Sequence, residues 1–179
     1  MTKFNKYTFR KYSKDFPNLF RKERTKLRKI LTKDSKIEHC GSTAIIGMGG
    51  KGIIDIFISV NKRYIKKNRN RLEKAGYIFR SNAGNKDRQF FEKEYIYRKS
   101  IRRIHLHLTS HNSFEIRRAV SFVKYMNTHP NKIKKYEEIK KSAVQHAKGK
   151  GSSYRTHKKQ YLNKLSKETL KEFNKHPHS

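Results

Sequence analysis

The feature that most constrains what this 179-residue chain can fold into is the stretch spanning positions 37–60. It holds five of the nine glycines and the only cysteine, and it ends in an apolar run, 53–60, interrupted by one carboxylate at Asp55. A short β-branched and aromatic run reads as a strand, and successive side chains on a strand point to opposite faces. Ile54, Ile56 and Ile58 therefore share one face, with Asp55, Phe57 and Ser59 on the other. A carboxylate in such a strand is costly to bury without a partner. A dozen residues earlier, Gly41-Ser42 falls where the chain leaves a short strand over 37–40 and turns. Glycine lets backbone amides approach an anion closely, and the serine hydroxyl adds a donor. A phosphate-cradling turn followed by a metal-binding aspartate on the next strand is a way of handling a nucleoside triphosphate.

The pattern His39-x-Gly41-Ser42-Thr43-Ala44-x-x-Gly47, followed by Lys51-x-Ile53-Ile54-Asp55-Ile56, resembles the signature of the GrpB family. The likeness continues through Phe16-Pro17-x-x-Phe20, Gly76-Tyr77, His105-Leu106-His107, His129-Pro130, Tyr136-x-x-x-Lys140 and Tyr154-x-x-x-Lys158. It implies a fold like that of the minimal nucleotidyltransferases: α+β, a small mixed sheet with packed helices and a helical C-terminal third. It also implies binding of a nucleotide or phosphorylated ligand, with metal-dependent nucleotidyl transfer as the matching activity. The chain departs from the pattern at three places. Phe57 stands where the fold's second metal-binding carboxylate is expected, Phe122-Val123-Lys124-Tyr125 replaces Phe-Arg-Asp-Tyr, and Ile46 and Gly52 replace prolines.

On this resemblance Gly41, Ser42, Thr43, Lys51, Arg88, Lys140 and Lys158 are the expected phosphate or nucleotide contacts. Asp55 is the expected metal ligand, for Mg²⁺ if the site is catalytic, because a hard dication takes oxygen ligands. The alternative for Asp55 is a structural salt bridge with Lys51 or an arginine. His105 and His107, two apart on a strand, project from one face. With His39 and Asp55 they form a candidate set for Zn²⁺ or another transition ion. Alternatively one of the two is a general base, making Asp55, His105 and His107 the catalytic group, or both are structural. Cys40 beside His39 reads as core filler, because strand neighbours point to opposite sides.

The remaining chain reads as one domain over 1–179, without repeats or a dividing linker. Positions 1–14 form an extended lead-in. A helix begins near Asp15 as cap with Pro17 in its first turn, another runs over 64–75 and stops at Gly76, and a third strand covers 77–79. The 89–97 run pairs with 102–109, where Ile104, Leu106 and Leu108 take one face. Ser113 caps a helix, Pro130 opens the next, and Gly149-Lys150-Gly151 breaks it before a last helix capped at Ser152 or Ser153 that frays toward His178.

Charge bounds the partners. Forty-six Lys and Arg face 14 Asp and Glu, a formal +32, which attracts polyanions at long range. RNA or another polyanion is therefore a candidate partner, against a lysine bias that serves solubility. No apolar run is long enough to span a bilayer or to act as a signal peptide. The single cysteine points to a reducing cytoplasm.

Overall fold

The computed structural model describes residues 9–147 and 151–175. Five helices, α1 (Phe16–Ile30), α2 (Ile65–Lys74), α3 (Phe114–Thr128), α4 (Pro130–Ala147) and α5 (Gly151–Lys175), surround a five-stranded sheet. Its strands are β1 (Lys36–Cys40), β2 (Ile54–Val60), β3 (Ile78–Phe79), β4 (Arg88–Tyr97) and β5 (Ser100–Ser110), in the order β1-β2-β5-β4-β3. Only β2 and β5 run parallel, and the other neighbours are antiparallel. The sheet is thus mixed and the last third of the described chain is helical. Among the described residues no helix is long and apolar enough to cross a membrane.

The period-two pattern of β2 and β5 decides how the layers form. Ile54, Ile56 and Ile58 lie against Ile104, Leu106 and Leu108 in the parallel register, and all six are buried. They pack with Phe16, Phe20 and Leu27 of α1 and Leu72 of α2 to make the main core. In a chain that is 34% charged this narrow apolar stripe supplies most of the packing, at roughly 1.5–3 kcal/mol per fully buried large side chain. The opposite face of β2 carries Asp55 and Phe57, and there α3 packs through Ile116 onto Phe57 and Cys40. A second cluster ties α3, α4 and α5 to the glycine loop, through Met126, Tyr136, Leu165, Ile45 and Met48. Beside the polar strand positions this helical layer leaves a cleft.

Several local expectations change. Asp15 precedes α1 but its side chain makes no capping bond; the Ser13 hydroxyl accepts from the Asp15 amide instead. Gly151 already belongs to α5, so Ser152 and Ser153 lie in its first turn and neither caps it. The break at Gly149-Lys150 and the fraying toward His178 fall outside the described residues. The described end of the lead-in is extended as expected, and Arg10 and Gly50 tie it down by exchanging backbone hydrogen bonds of 2.7 and 2.9 Å. Ser113 does cap α3, accepting from the Ile116 amide at 3.3 Å.

Candidate functional site

Strand register builds the floor of the cleft. Asp55 stands opposite His105 and Phe57 opposite His107 across the β2–β5 ladder, while Phe90 of β4 flanks His107. All five share the face away from the isoleucine core. The His105 Nδ1 and His107 Nε2 atoms lie 3.4 and 3.9 Å from Asp55 Oδ1. So Asp55 pairs with two imidazoles. Burial pushes its carboxyl up, but the hydrogen-bonding contacts of His105 and His107 outweigh this and hold it well below the usual carboxylate range. An ionised carboxylate only accepts, so the His105 Nδ1 that faces it presents an N–H.

Arg88 settles the state of His107. Its Nη1 donates to His107 Nδ1 at 2.6 Å, and a guanidinium has no acceptor to offer. His107 Nδ1 therefore carries no proton and Nε2–H faces Asp55. Burial lowers the basicity of His107 against the pull of Asp55, consistent with a neutral ring. Glu115 of α3 holds Arg88 in turn, accepting from its Nε at 3.0 Å and from Arg118 at 3.3 Å. The floor is thus a chain Glu115–Arg88–His107–Asp55–His105, with aromatic rings on its flanks: Phe57 stacks on His107 at 4.3 Å.

The glycine loop forms one wall. Gly41 has φ +67° and ψ −168°, a backbone region open essentially to glycine, and a Cβ there would overlap Asp55 Oδ2. The 3-10 turn Ser42–Ala44 follows, and among the described residues the Ser42 hydroxyl makes no hydrogen bond to protein. A Cβ on Gly50 would sit 2.6 Å from Ser42 Oγ and 3.5 Å from Lys140 Nζ, so hydroxyl and ammonium flank the same glycine. Lys140, only 3% exposed, reaches from α4 to donate to the Gly49 carbonyl, and Glu137 accepts from the Gly49 amide. The four-residue Tyr/Lys spacing appears as stacking: Lys140 Nζ lies 4.7 Å from the Tyr136 ring centre and Lys158 Nζ 4.8 Å from that of Tyr154. Lys51 approaches the Tyr154 ring as well, at 5.2 Å. Burial and then Lys158 drive the ammonium of Lys140 down to about 7, against Glu137. Burial and then Lys51 bring Lys158 down to about 8, with Asp55 acting the other way.

These elements enclose a cleft of about 800 Å³. Gly41, Ser42, Lys51, Asp55, Arg88, His105, His107, Lys140 and Lys158, all expected site residues, line it together. Two expected residues do not. His39 pairs across β1–β2 with Ile56, so its ring lies on the isoleucine face, stacked on Phe20 at 4.6 Å. Its Nε2 bonds Thr43 Oγ1 at 3.0 Å, and burial lowers it to about 4. Thr43, 1% exposed, donates in turn to the Ile53 carbonyl at 3.1 Å. Both brace the turn from behind and neither meets the cleft. Cys40, 1% exposed, is pushed up by burial and fills the core as expected. Sequence reasoning missed Glu115, Arg118, Arg155 and Lys159, which also line the cleft. The available signal was helical spacing, since Lys158 and Lys159 follow Arg155 by three and four residues and Arg118 follows Glu115 by three.

Thr43→Val should lower stability by about 1–3 kcal/mol, because it leaves the His39 N–H and the Ile53 carbonyl buried without a partner. Denaturant titration measures that loss, while the melting shift produced by an anionic ligand should stay as in wild type.

The family model described as GrpB protein matches residues 6–168. The chain belongs to the GrpB family. It is 32% identical over 161 residues to the glutamate-rich protein GrpB of Alkalihalophilus pseudofirmus, covering 88% of this chain and 92% of that one. The crystal structure of the conserved protein GrpB from Enterococcus faecalis superposes with a TM-score of 0.81 at 25% identity, over 93% of this chain and 99% of the other. A structure of the Cid1 poly (U) polymerase bound to MgATP aligns with a TM-score of 0.51 at 13% identity, over 77% of this chain and 44% of that one. That likeness is one of fold, and it makes the GrpB sheet nucleotidyltransferase-like. The acidic name of the first relative is not matched here, where basic residues outnumber acidic ones by more than three to one.

The metals expected of such a fold do not fit the donors present. Mg²⁺ takes several hard oxygens, yet among the described residues Asp55 is the one sheet carboxylate that lines the cleft, and the position two residues on is Phe57, packed on His107. Glu115, the cleft's other carboxylate, is occupied by two arginines. A zinc set loses His39 to the opposite face, and the His107 nitrogen facing Asp55 carries its proton. Among the described residues no group of three or more His, Cys, Asp or Glu side chains has the geometry to hold a metal ion.

Proposed function

We propose that the cleft binds a nucleotide or another phosphorylated small molecule. The observation that carries this reading is the convergence of Ser42 with Lys51, Arg88, Lys140 and Lys158 in one cavity, two of them lysines whose burial is unfavourable until an anion arrives. The ligand's phosphates lie against the Gly41–Ser42 turn and the lysines, and its remaining part extends toward α3 and α5. Nucleotidyl transfer is the finer form of this proposal, supported by the sheet's likeness to a poly(U) polymerase. In it, Asp55 orients His105, whose Nε2 takes the proton of an attacking hydroxyl as its oxygen bonds the α-phosphorus; the bond to the β-phosphate breaks, pyrophosphate leaves against Lys51, Lys140 and Lys158, and the resulting imidazolium is held by the Asp55 carboxylate. A second reading, docking of RNA or another polyanion, is favoured by the cationic rim of Arg118, Arg155 and Lys159; fluorescence anisotropy with single-stranded RNA would then show affinity falling steeply with salt.

A thermal-shift series with ATP, GTP, CTP, UTP and pyrophosphate tests the main reading. At a ligand concentration of about 100 Kd, the expected stabilisation is roughly 2.7 kcal/mol. Lys158→Met should abolish most of it while folding normally, because methionine keeps the contact with the Tyr154 ring. No shift with any of these ligands would overturn the proposal.

A further inference from the structure

Resting on the ligand class just proposed, we infer that this cleft holds phosphate without a divalent metal, using the ammonium groups of Lys51, Lys140 and Lys158 and the hydroxyl of Ser42 in its place. In a two-metal site, paired carboxylates are needed to gather the cations that in turn neutralise phosphate. Here the second carboxylate is Phe57, and both remaining carboxylates of the cleft are engaged: Asp55 by two imidazoles, Glu115 by Arg88 and Arg118.

The positive charge that metals would bring is already built into the protein. Seven basic side chains line the cleft against those two acids. Lys140 is nearly sealed, and its ammonium meets a carbonyl and an aromatic ring; Lys158 likewise rests on a ring. Among the described residues no carboxylate lies within ion-pair distance of either lysine. One buried and two half-buried ammonium groups gathered around a common space, beside an unbonded hydroxyl, are the complement of a phosphate oxyanion. A further dication would be repelled by the same groups. The free polyphosphate, more negative than its Mg²⁺ complex, is therefore the better ligand.

Isothermal titration of the full chain with ATP and with pyrophosphate, each in EDTA and in excess MgCl₂, decides the matter. The expected result is binding in EDTA at least as tight as in MgCl₂, weakened roughly tenfold or more in both buffers by Lys158→Met. Binding that requires Mg²⁺, or that tightens about tenfold on adding it, would overturn the metal-free assignment and leave phosphate binding standing. Absence of heat from both probes in both buffers would instead remove the ligand reading itself, and this inference with it.

Discussion

Gly41→Ala is expected to be the most damaging single-methyl change in the protein. The φ of +67° with ψ of −168° belongs to a region that side-chain-bearing residues adopt only at a cost of about 1–3 kcal/mol. The added Cβ would also overlap the Asp55 carboxylate, and overpacking of this sort costs a further ~1–3 kcal/mol. For a chain of this size each kcal/mol lowers the melting temperature by about 2–4 °C, which places the expected drop on the order of 10 °C. Gly47→Ala is the matched control. Gly47 also has positive φ, at +80°, but a Cβ there meets nothing within 4 Å, so only backbone strain of about 1–2 kcal/mol is added. The difference between the two melts isolates the contact of Asp55 with the turn. ATP-induced stabilisation should vanish in Gly41→Ala and persist in Gly47→Ala. Equal melts would show that Asp55 is not seated against Gly41.

Lys140→Met is expected to separate folding from binding. The lysine is buried beside Lys158, with Glu137 its nearest opposing charge, and these surroundings bring its ammonium down to about 7. The unfolded chain keeps the ordinary lysine value near 10.4, so between pH 7 and that value it binds more protons than the folded chain. Wild-type stability should therefore rise with pH across this window, by at most about 1.4 kcal/mol per pH unit from this group, and level off below pH 7. Lys158 adds a similar rise starting near 8. In Lys140→Met the rise should be shallower. At neutral pH the variant should melt within a few degrees of wild type, because the loss of the bond to the Gly49 carbonyl is offset by no longer burying a charge. Anion affinity should run the other way. A bound phosphate favours the charged lysine, so affinity falls as pH rises from 6.5 to 9 in wild type, and Lys140→Met should reduce it at least tenfold at the lower pH, or by about 1.4 kcal/mol. Parallel melting curves and titrations across pH check both trends; a variant that binds ATP normally would remove Lys140 from the site.

The stretch around Asp55 and the histidine strand were legible because strands have a period of two and β2 and β5 contrast apolar and polar residues at every step. Alternation alone placed Asp55, His105 and His107 away from the isoleucines, and the four-residue spacing paired each tyrosine with its lysine. Local pattern does not reach a side chain whose direction depends on a partner strand or on a tight turn. Sequence adjacency to Gly41 made His39 and Thr43 look like site residues, yet the β1–β2 register turns His39 to the core, and the 3-10 turn points Thr43 back to it. On α5, Lys164, Lys167 and Lys171 stand exposed away from the cleft, so charge alone does not separate them from Arg155, Lys158 and Lys159 that line it.

By itself, then, the sequence determined the strand pattern, the glycine turn, the family and the excess of positive charge, since each follows from local stereochemistry or simple composition. Only the tertiary structure decided that Arg88 sets the proton on His107, that lysines from two separate helices line one cleft, and that His39 and Thr43 turn away from it. These are outcomes of register and packing between segments as far apart as Ser42 and Lys158, where contact is set by the whole fold and no local rule reaches.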